Sequence, residues 1–281
     1  MKKASNLIRL TVIILILMFI TIYYSMYVEP SNITIKEINV INEDLPKSFY
    51  GYKIAHISDI HYNNTIFKKD LKKIFNTINK SKPNIIVITG DLLDKKIKYT
   101  DKDKNDLVEL LNSLKSEYKY IITGDHDKSN LFKEIINNTD FKLLDNSYEI
   151  IYNGDYDPIL ISGLSTSSDN INIANKLNST DSIIKQYKIT YNIMLMHEPS
   201  LSEEINTDNY QLLLAGHTHN GQINIPFIKK VLLPKNSKAY TKSYYKLNDC
   251  DLYISNGIGT TNYKARLFNK PTVYLYRLLD K

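Results

Sequence analysis

Five short apolar runs, each stopping at a histidine or an aspartate, set the rhythm of this 281-residue chain. "YKIAHIS" leads to Asp59 and His61, "NIIVIT" to Gly90 and Asp91, and "YKYIIT" to Gly124, Asp125, His126 and Asp127. "YNIMLM" leads to His197, Glu198 and Pro199, and "YQLLLA" to Gly216, His217 and His219. Unbroken runs of β-branched residues and leucine predict strands buried on both faces. Helical stripes separate the first three runs. Ile66, Phe67, Leu71, Ile74, Phe75 and Ile78 make one over 65–80, and Leu107, Val108, Leu110, Leu111 and Leu114 make another over 105–117. Strand, helix, strand, helix, strand implies parallel strands joined by right-handed crossovers. Ser129 is placed to cap a third helix through Asn138. Residues 141–163 read as paired strands with "NGDYDP" as their turn, and 169–187 as a further helix. "QINI", "DLYISNG" and "PTVYLYRLL" read as closing strands, and "NITIKEINVI" alternates as a lead-in strand.

The N-terminal segment breaks this rhythm. From Leu10 to Val28 no side chain is charged, and these 19 residues at about 1.5 Å each span roughly 28 Å, close to a bilayer core of about 30 Å. Tyr23, Tyr24 and Tyr27 gather at one end, as an interfacial belt does. A cleaved signal peptide has a shorter apolar stretch and an A-x-A-like site, and a buried core helix lacks the basic flank of Lys2, Lys3 and Arg9. A single-pass anchor in the cell membrane is therefore expected, with the basic end cytoplasmic and the remainder extracytoplasmic. The expected organisation is a basic segment over 1–9, an anchor over 10–28, a linker and lead-in strand over 29–50, and one domain over 51–281.

Charge and cysteine content narrow the partners. Lys and Arg exceed Asp and Glu by 36 − 30 = +6, and three of those charges precede residue 10. No basic stripe interleaved with aromatics remains, so nucleic acid is not an expected partner. The single cysteine, Cys250, excludes an internal disulfide and a thiolate zinc cluster.

Open α/β sheets place ligands beyond the carboxyl ends of their strands. Five of the six histidines join Asp59, Asp91 and Asp125 at those ends; His56 lies inside the first strand and is expected to be packed. Each block alone reads as readily as a polar turn, but five such turns in one order would be a coincidence. Mixed carboxylate and imidazole groups suit Mn²⁺, Fe or Zn²⁺, with Mn²⁺ favoured. Eight groups are too many for one ion and fit two ions about 3.5–4 Å apart, the arrangement that hydrolyses phosphate esters. Glycines at 90, 124, 216 and 221 allow the backbone to approach closely.

The blocks "DIH", "GDLLD", "GDHD", "HEP" and "GHTHNGQI", in that order, resemble the calcineurin-like metallophosphoesterase superfamily. The apolar N-terminus, "GDLLD" and "GHTHNGQI" resemble its bacterial membrane-associated subgroup, and the likeness covers residues 50 to 280. It implies an α/β fold: a four-layer sandwich of two mixed β-sheets flanked by helices, here preceded by one transmembrane helix. By the same resemblance Asp59, His61 and His219 hold one ion, Asp125, His197 and His217 hold the other, and Asp91 bridges them. A hydroxide between the ions attacks phosphorus in line, and His126 stabilises the transition state or protonates the leaving oxygen. Asp127 is expected to orient His126 or nearby backbone. Arg266 matches an arginine found before the last strand. The implied substrate is a phosphodiester or pyrophosphate, with lipid-linked or envelope phosphates favoured by the anchor. One position departs: the family pattern has Asn where this chain has Asp125. The extra negative charge tightens metal binding and raises the pKa of the bridging water, and the alternative is a scaffold that binds metal without turnover.

Overall fold

The computed structural model describes residues 2–154, 157–166, 173–226, 233, 238–261 and 263–281. The first three apolar runs form β2 (Lys53–Ile57), β3 (Ile85–Ile88) and β4 (Tyr118–Ile121), paired in parallel side by side. The crossovers are α2 (Lys68–Ser81) and α3 (Asp101–Asn112). The sheet is extended by β5 (Lys142–Leu143) beyond β4 and by two strands beyond β2. Those two are the lead-in strand β1 (Thr34–Ile41) and the closing strand β12 (Thr272–Leu279), giving the order β1-β12-β2-β3-β4-β5. Only the β12–β2 pairing is antiparallel.

The last two apolar runs lie in a second sheet. It has the order β10-β11-β9-β8-β7-β6, from β6 (Ser147–Ile151), β7 (Ile159–Gly163), β8 (Tyr191–Leu195), β9 (Leu212–Ala215), β10 (Tyr244–Leu247) and β11 (Cys250–Ile254). Its outer pairs β10–β11 and β6–β7 are antiparallel, and its inner pairs are parallel. Alternation along each strand builds the layers. Ile85 and Val87 of β3 meet Tyr191, Ile193 and Leu195 of β8 in the core between the sheets. Ile86 and Ile88 face the opposite way, onto Leu71, Ile74 and Phe75 of α2 and Leu107 and Leu111 of α3. Met194 packs with Leu177 of α5 (Ile173–Tyr187) on the far side of the second sheet. Helices, sheet, sheet and helix make four layers, as the resemblance implies.

Helix ends differ from the apolar stripes for local reasons. Phe67 is extended and exposed, and its N–H donates to the Asp70 carboxylate, so α2 starts one residue later. α3 starts before its stripe because Thr100 and Asp103 form a reciprocal cap. Ser129 accepts from the Phe132 N–H and opens α4 (Asn130–Asn137) as expected. Of "QINI", only Ile223 pairs, in a single bridge with Leu267. Part of the "NGDYDP" turn, and residues 169–172 of the predicted helix, lie outside the described residues.

The N-terminal apolar segment forms α1 (Lys2–Tyr23), and Lys3–Ser31 is long and apolar enough to cross a membrane. No residue of its most apolar stretch is buried against the rest of the chain.

His56 is packed inside β2, as expected, with Nε2 2.8 Å from Thr89 Oγ1. Burial, opposed only in part by Asp59, lowers its pKa to about 3. Below pH 6.5 the unfolded chain protonates this histidine and the folded chain does not. Stability is therefore whole above pH 6.5 and falls as pH drops toward about 3, by about 1.4 kcal/mol per pH unit for one proton. In His56→Leu, Ser58 Oγ still partners Thr89. Denaturant unfolding from pH 7 to 4 is expected to show a shallower acid loss in the variant; an equal slope would reject this assignment.

Candidate metal centre

All seven candidate ligand residues follow a strand within a few positions, at the same edge of both sheets. β2 runs out to Asp59 and His61, β3 to Asp91 and β4 to Asp125. β8 runs out to His197, and β9 to His217 and His219. Five of the seven turn through left-handed backbone: Asp59 (φ 52), His61 (φ 44), Asp91 (φ 54), His217 (φ 66) and His219 (φ 46). Non-glycine residues adopt that conformation at a cost of about 1–3 kcal/mol each. Here it turns side chains leaving parallel strands back toward one point. Room for them comes from Gly124, where an added Cβ would sit 2.3 Å from Asp91 Oδ1, and from Gly257, where it would sit 2.9 Å from Asp59 Cβ.

Two triads result. Asp59, His61 and His219 offer atoms within 4.8 Å of one another, and so do Asp125, His197 and His217. In the first, His219 Nε2 lies 3.3 Å from His61 Nε2 and 3.3 Å from Asp59 Oδ1. In the second, His217 Nδ1 lies 3.3 Å from His197 Nε2 and 3.4 Å from Asp125 Oδ2. Asp91 stands between them, its Oδ2 3.5 Å from His61 Nε2 and 3.4 Å from His197 Nε2. His217 and His219, two residues apart, thus serve different triads.

The donor set fits divalent cations. Two nitrogens bound about 2.1 Å from one ion, at tetrahedral or octahedral angles, lie about 3.0–3.4 Å apart. Both facing imidazole pairs have that spacing. Burial lowers the pKa of His61 to about 4, with Asp91 opposing, and burial and then His197 lower that of His217 to about 4. Both imidazoles are neutral at pH 7 and keep a lone pair for a cation. Burial opposes charge on Asp91 and His197, but their contact prevails. The Asp91 carboxyl is held well below the usual carboxylate range and the His197 imidazole well above its ordinary value. A cation among these groups would replace that proton as the counter-charge to Asp91.

Surrounding groups fix the imidazoles. His197 Nδ1 lies 2.7 Å from the Thr89 carbonyl, which directs Nε2 toward Asp91. His126 donates its backbone N–H to Asp91 Oδ1 at 2.8 Å. Its ring stands edge-on to that of His61, with centroids 4.8 Å apart, and is half-buried at the rim. Asp127 serves backbone rather than His126: its carboxylate accepts from the N–H groups of Leu93 at 2.9 Å, Gly124 at 3.0 Å and Leu92 at 3.3 Å. Arg266 is fully buried and donates to four carbonyls, those of Asn256, Gly257, Gly259 and Asn269.

The group beside His126 is one that the sequence reading passed over. Asp94 Oδ1 lies 3.4 Å from His126 Nδ1, and Asp94 Oδ2 lies 3.6 Å from His61 Nδ1. Asn64 donates to Asp94 Oδ2 at 3.1 Å. The signal was present: Asp94 is the last residue of "GDLLD", three positions after Asp91.

Fold and site together define a metal-dependent phosphoester hydrolase. The family model described as "Calcineurin-like phosphoesterase" matches residues 52–221, and the chain belongs to that family. It is 30% identical to the uncharacterized metallophosphoesterase YkuE of Bacillus subtilis (strain 168), over 91% of this chain and 88% of that protein. It is 25% identical to the UDP-2,3-diacylglucosamine pyrophosphatase LpxG of Chlamydia muridarum, over 84% of this chain and 87% of that one. A Danio rerio "transmembrane protein with metallophosphoesterase domain" is 25% identical, over 78% of this chain and 52% of that one. Among solved structures, the NAD nucleotidase NadN of Haemophilus influenzae superposes with a TM-score of 0.51 at 15% identity, over 73% of this chain and 45% of that one. That likeness is one of fold alone.

Proposed function

We propose that the chain is a membrane-anchored, two-metal hydrolase of a phosphodiester or pyrophosphate bond. Asp59, His61 and His219 would hold one ion, Asp125, His197 and His217 would hold the other, and Asp91 would serve both. The observation that carries this reading is Asp91 Oδ2 standing 3.5 Å from His61 Nε2 and 3.4 Å from His197 Nε2, one carboxylate between two triads. Bound ions, Mn²⁺ by preference, would supply a water of lowered pKa and neutralise the phosphate oxygens. His126, at the rim, would stabilise or protonate the leaving oxygen.

The anchor over residues 10–28 places the domain on the extracytoplasmic side, with the 1–9 segment inside. Residues 29–50 then lead from the bilayer into the domain of residues 51–281, adding β1 to the first sheet. A substrate carrying a lipid or belonging to the envelope fits that position. Two observations support it. The Chlamydia muridarum relative is by name a pyrophosphatase of UDP-2,3-diacylglucosamine. Tyr263 and Phe268, on the loop that packs against the His219 turn, are 59% and 70% exposed.

The test uses the full chain in detergent, stripped of metal and reloaded with Mn²⁺, against bis-p-nitrophenyl phosphate and p-nitrophenyl phosphate. Manganese-dependent cleavage of the diester, lost in His217→Ala, is expected. Two bound ions without turnover of either compound would favour the scaffold reading. Recovery of turnover in Asp125→Asn would then trace the silence to that one carboxylate.

A further inference from the structure

The membrane end of the anchor is stitched to the loop behind the first triad. Beyond α1 the chain continues through a wide turn, Tyr24–Val28, and a tight one, Glu29–Ser31. Glu29 is 2% exposed, although it sits where an anchor would leave the bilayer. Its two carboxylate oxygens accept from successive backbone N–H groups, Oε2 from Phe268 at 3.0 Å and Oε1 from Asn269 at 2.5 Å. One turn earlier, the Ser25 carbonyl accepts from the Arg266 N–H at 2.8 Å. Residues 25–29 therefore grip residues 266–269 by three hydrogen bonds, two of them to a charged acceptor.

The gripped segment in turn holds the site. Asn269 Nδ2 donates to the His219 carbonyl at 2.6 Å and to the Asn220 carbonyl at 3.3 Å. Arg266 donates to the Gly257 and Gly259 carbonyls at 3.0 and 2.5 Å. That glycine loop lies against Asp59: the Gly259 N–H donates to the Asp59 carbonyl at 2.7 Å. Both routes from the anchor end at members of one triad, His219 and Asp59. His219 is also one of the left-handed residues (φ 46), so its turn needs an external tether to hold its shape.

From this geometry we infer that Glu29 is a positioning residue for the metal centre, tying the membrane end of the anchor to the His219 turn through Asn269. The inference rests on the two-ion reading and deepens it. It makes the two ions unequal: the one at Asp59, His61 and His219 depends on the anchor, and the one at Asp125, His197 and His217 does not. Glu29 touches neither ion nor substrate.

The experiment compares the full chain in nanodiscs with Glu29→Ala and Glu29→Gln. Equilibrium dialysis against Mn²⁺, with metal analysis, reads each affinity. Glu29→Ala is expected to weaken one of two sites about tenfold or more, the usual effect of losing an outer-shell support, and to leave the other unchanged. Glu29→Gln keeps one oxygen acceptor and is expected to recover part of that loss. Unaltered affinity at both sites, or equal weakening of both in a folded variant, would overturn the inference. Amide exchange over residues 219–222 and 266–269 in the metal-free protein gives a second readout. Faster exchange there in Glu29→Ala, with Glu29→Gln nearer the parent, is expected; unchanged exchange overturns the inference. If the parent takes up no metal, the two-ion reading fails, and the exchange result alone decides whether Glu29 holds the His219 turn. If Glu29→Ala does not fold, Glu29→Gln decides by the same two measurements.

Discussion

Replacing Asp91 with Asn is expected to reduce manganese-dependent hydrolysis by about 10⁴-fold, the scale seen when a central catalytic group is removed, while leaving the fold intact. The substitution is nearly isosteric. Asn tolerates the left-handed backbone at this position (φ 54), and its amide oxygen can still accept the His126 N–H that Asp91 Oδ1 accepts at 2.8 Å. What disappears is one negative charge between His61 and His197, in a pocket where Asp91 is 3% exposed. Two cations held a few ångströms apart repel strongly at low dielectric, and a shared carboxylate is the group that offsets this. Metal analysis should accordingly show fewer than two ions per chain. Activity within tenfold of the parent, with two ions retained, would remove Asp91 from between the metals.

Arg266→Met is expected to be the most damaging substitution outside the metal ligands. Methionine keeps the aliphatic stem but not the guanidinium end, so the effect combines lost hydrogen bonds with the space that the buried head group leaves. Four carbonyls, those of Asn256, Gly257, Gly259 and Asn269, would lose the guanidinium, although that of Gly257 keeps the Thr272 N–H at 3.3 Å. Unpaired buried groups cost about 1–3 kcal/mol each, and loss of a buried charged partner about 3–5 kcal/mol. With partial rearrangement, a loss of about 3–5 kcal/mol is expected, seen as a fall of about 10 °C in unfolding midpoint. Burial lowers the Arg266 pKa to about 10, with Asp59 and Glu29 opposing, so the group stays charged at neutral pH. Arg266→Lys keeps that charge, but a single ammonium cannot reach four carbonyls in a fork, and most of the loss should remain. A change under about 1 kcal/mol in Arg266→Met would show that water or rearranged backbone replaces the guanidinium.

The parts of this fold that were legible in the sequence are those where chemistry changes abruptly along the chain. Five strand ends are marked by the step from aliphatic residues to aspartate or histidine within a few positions, and the step from Ala215 to His217 is an example. The division into two sheets was not marked in the runs themselves. In β3 both Ile85 and Val87, facing the second sheet, and Ile86 and Ile88, facing the helices, are aliphatic, so the pattern does not distinguish the faces. That arrangement came from the family resemblance. Phe67 counted toward a helical stripe because it is apolar at the right spacing, yet the Asp70 cap holds it outside the helix. The two neighbouring carboxylates of the His126 region show the limit for side chains. Asp127 adjoins His126 in sequence but turns to backbone amides, whereas Asp94, 32 positions before His126, reaches its ring. Glu29 and Asn269 carried no local signal, because their meaning depends on contact across 240 positions.

The pairing of β1 with β12 has a consequence for how the protein is made. Residues 34–41 lie beside residues 272–279, and β12 also separates β1 from β2. During synthesis the first sheet therefore has a gap at the place of its second strand until residues 272–279 emerge. Meanwhile β1 and β2 each present an open edge, the kind of surface that recruits strands from other chains. Closing such a gap joins segments far apart in sequence, a kind of pairing that forms slowly. Anchored as proposed through Lys3–Ser31, the chain would hold one of those edges next to the membrane during the delay, which would limit the neighbours it can meet.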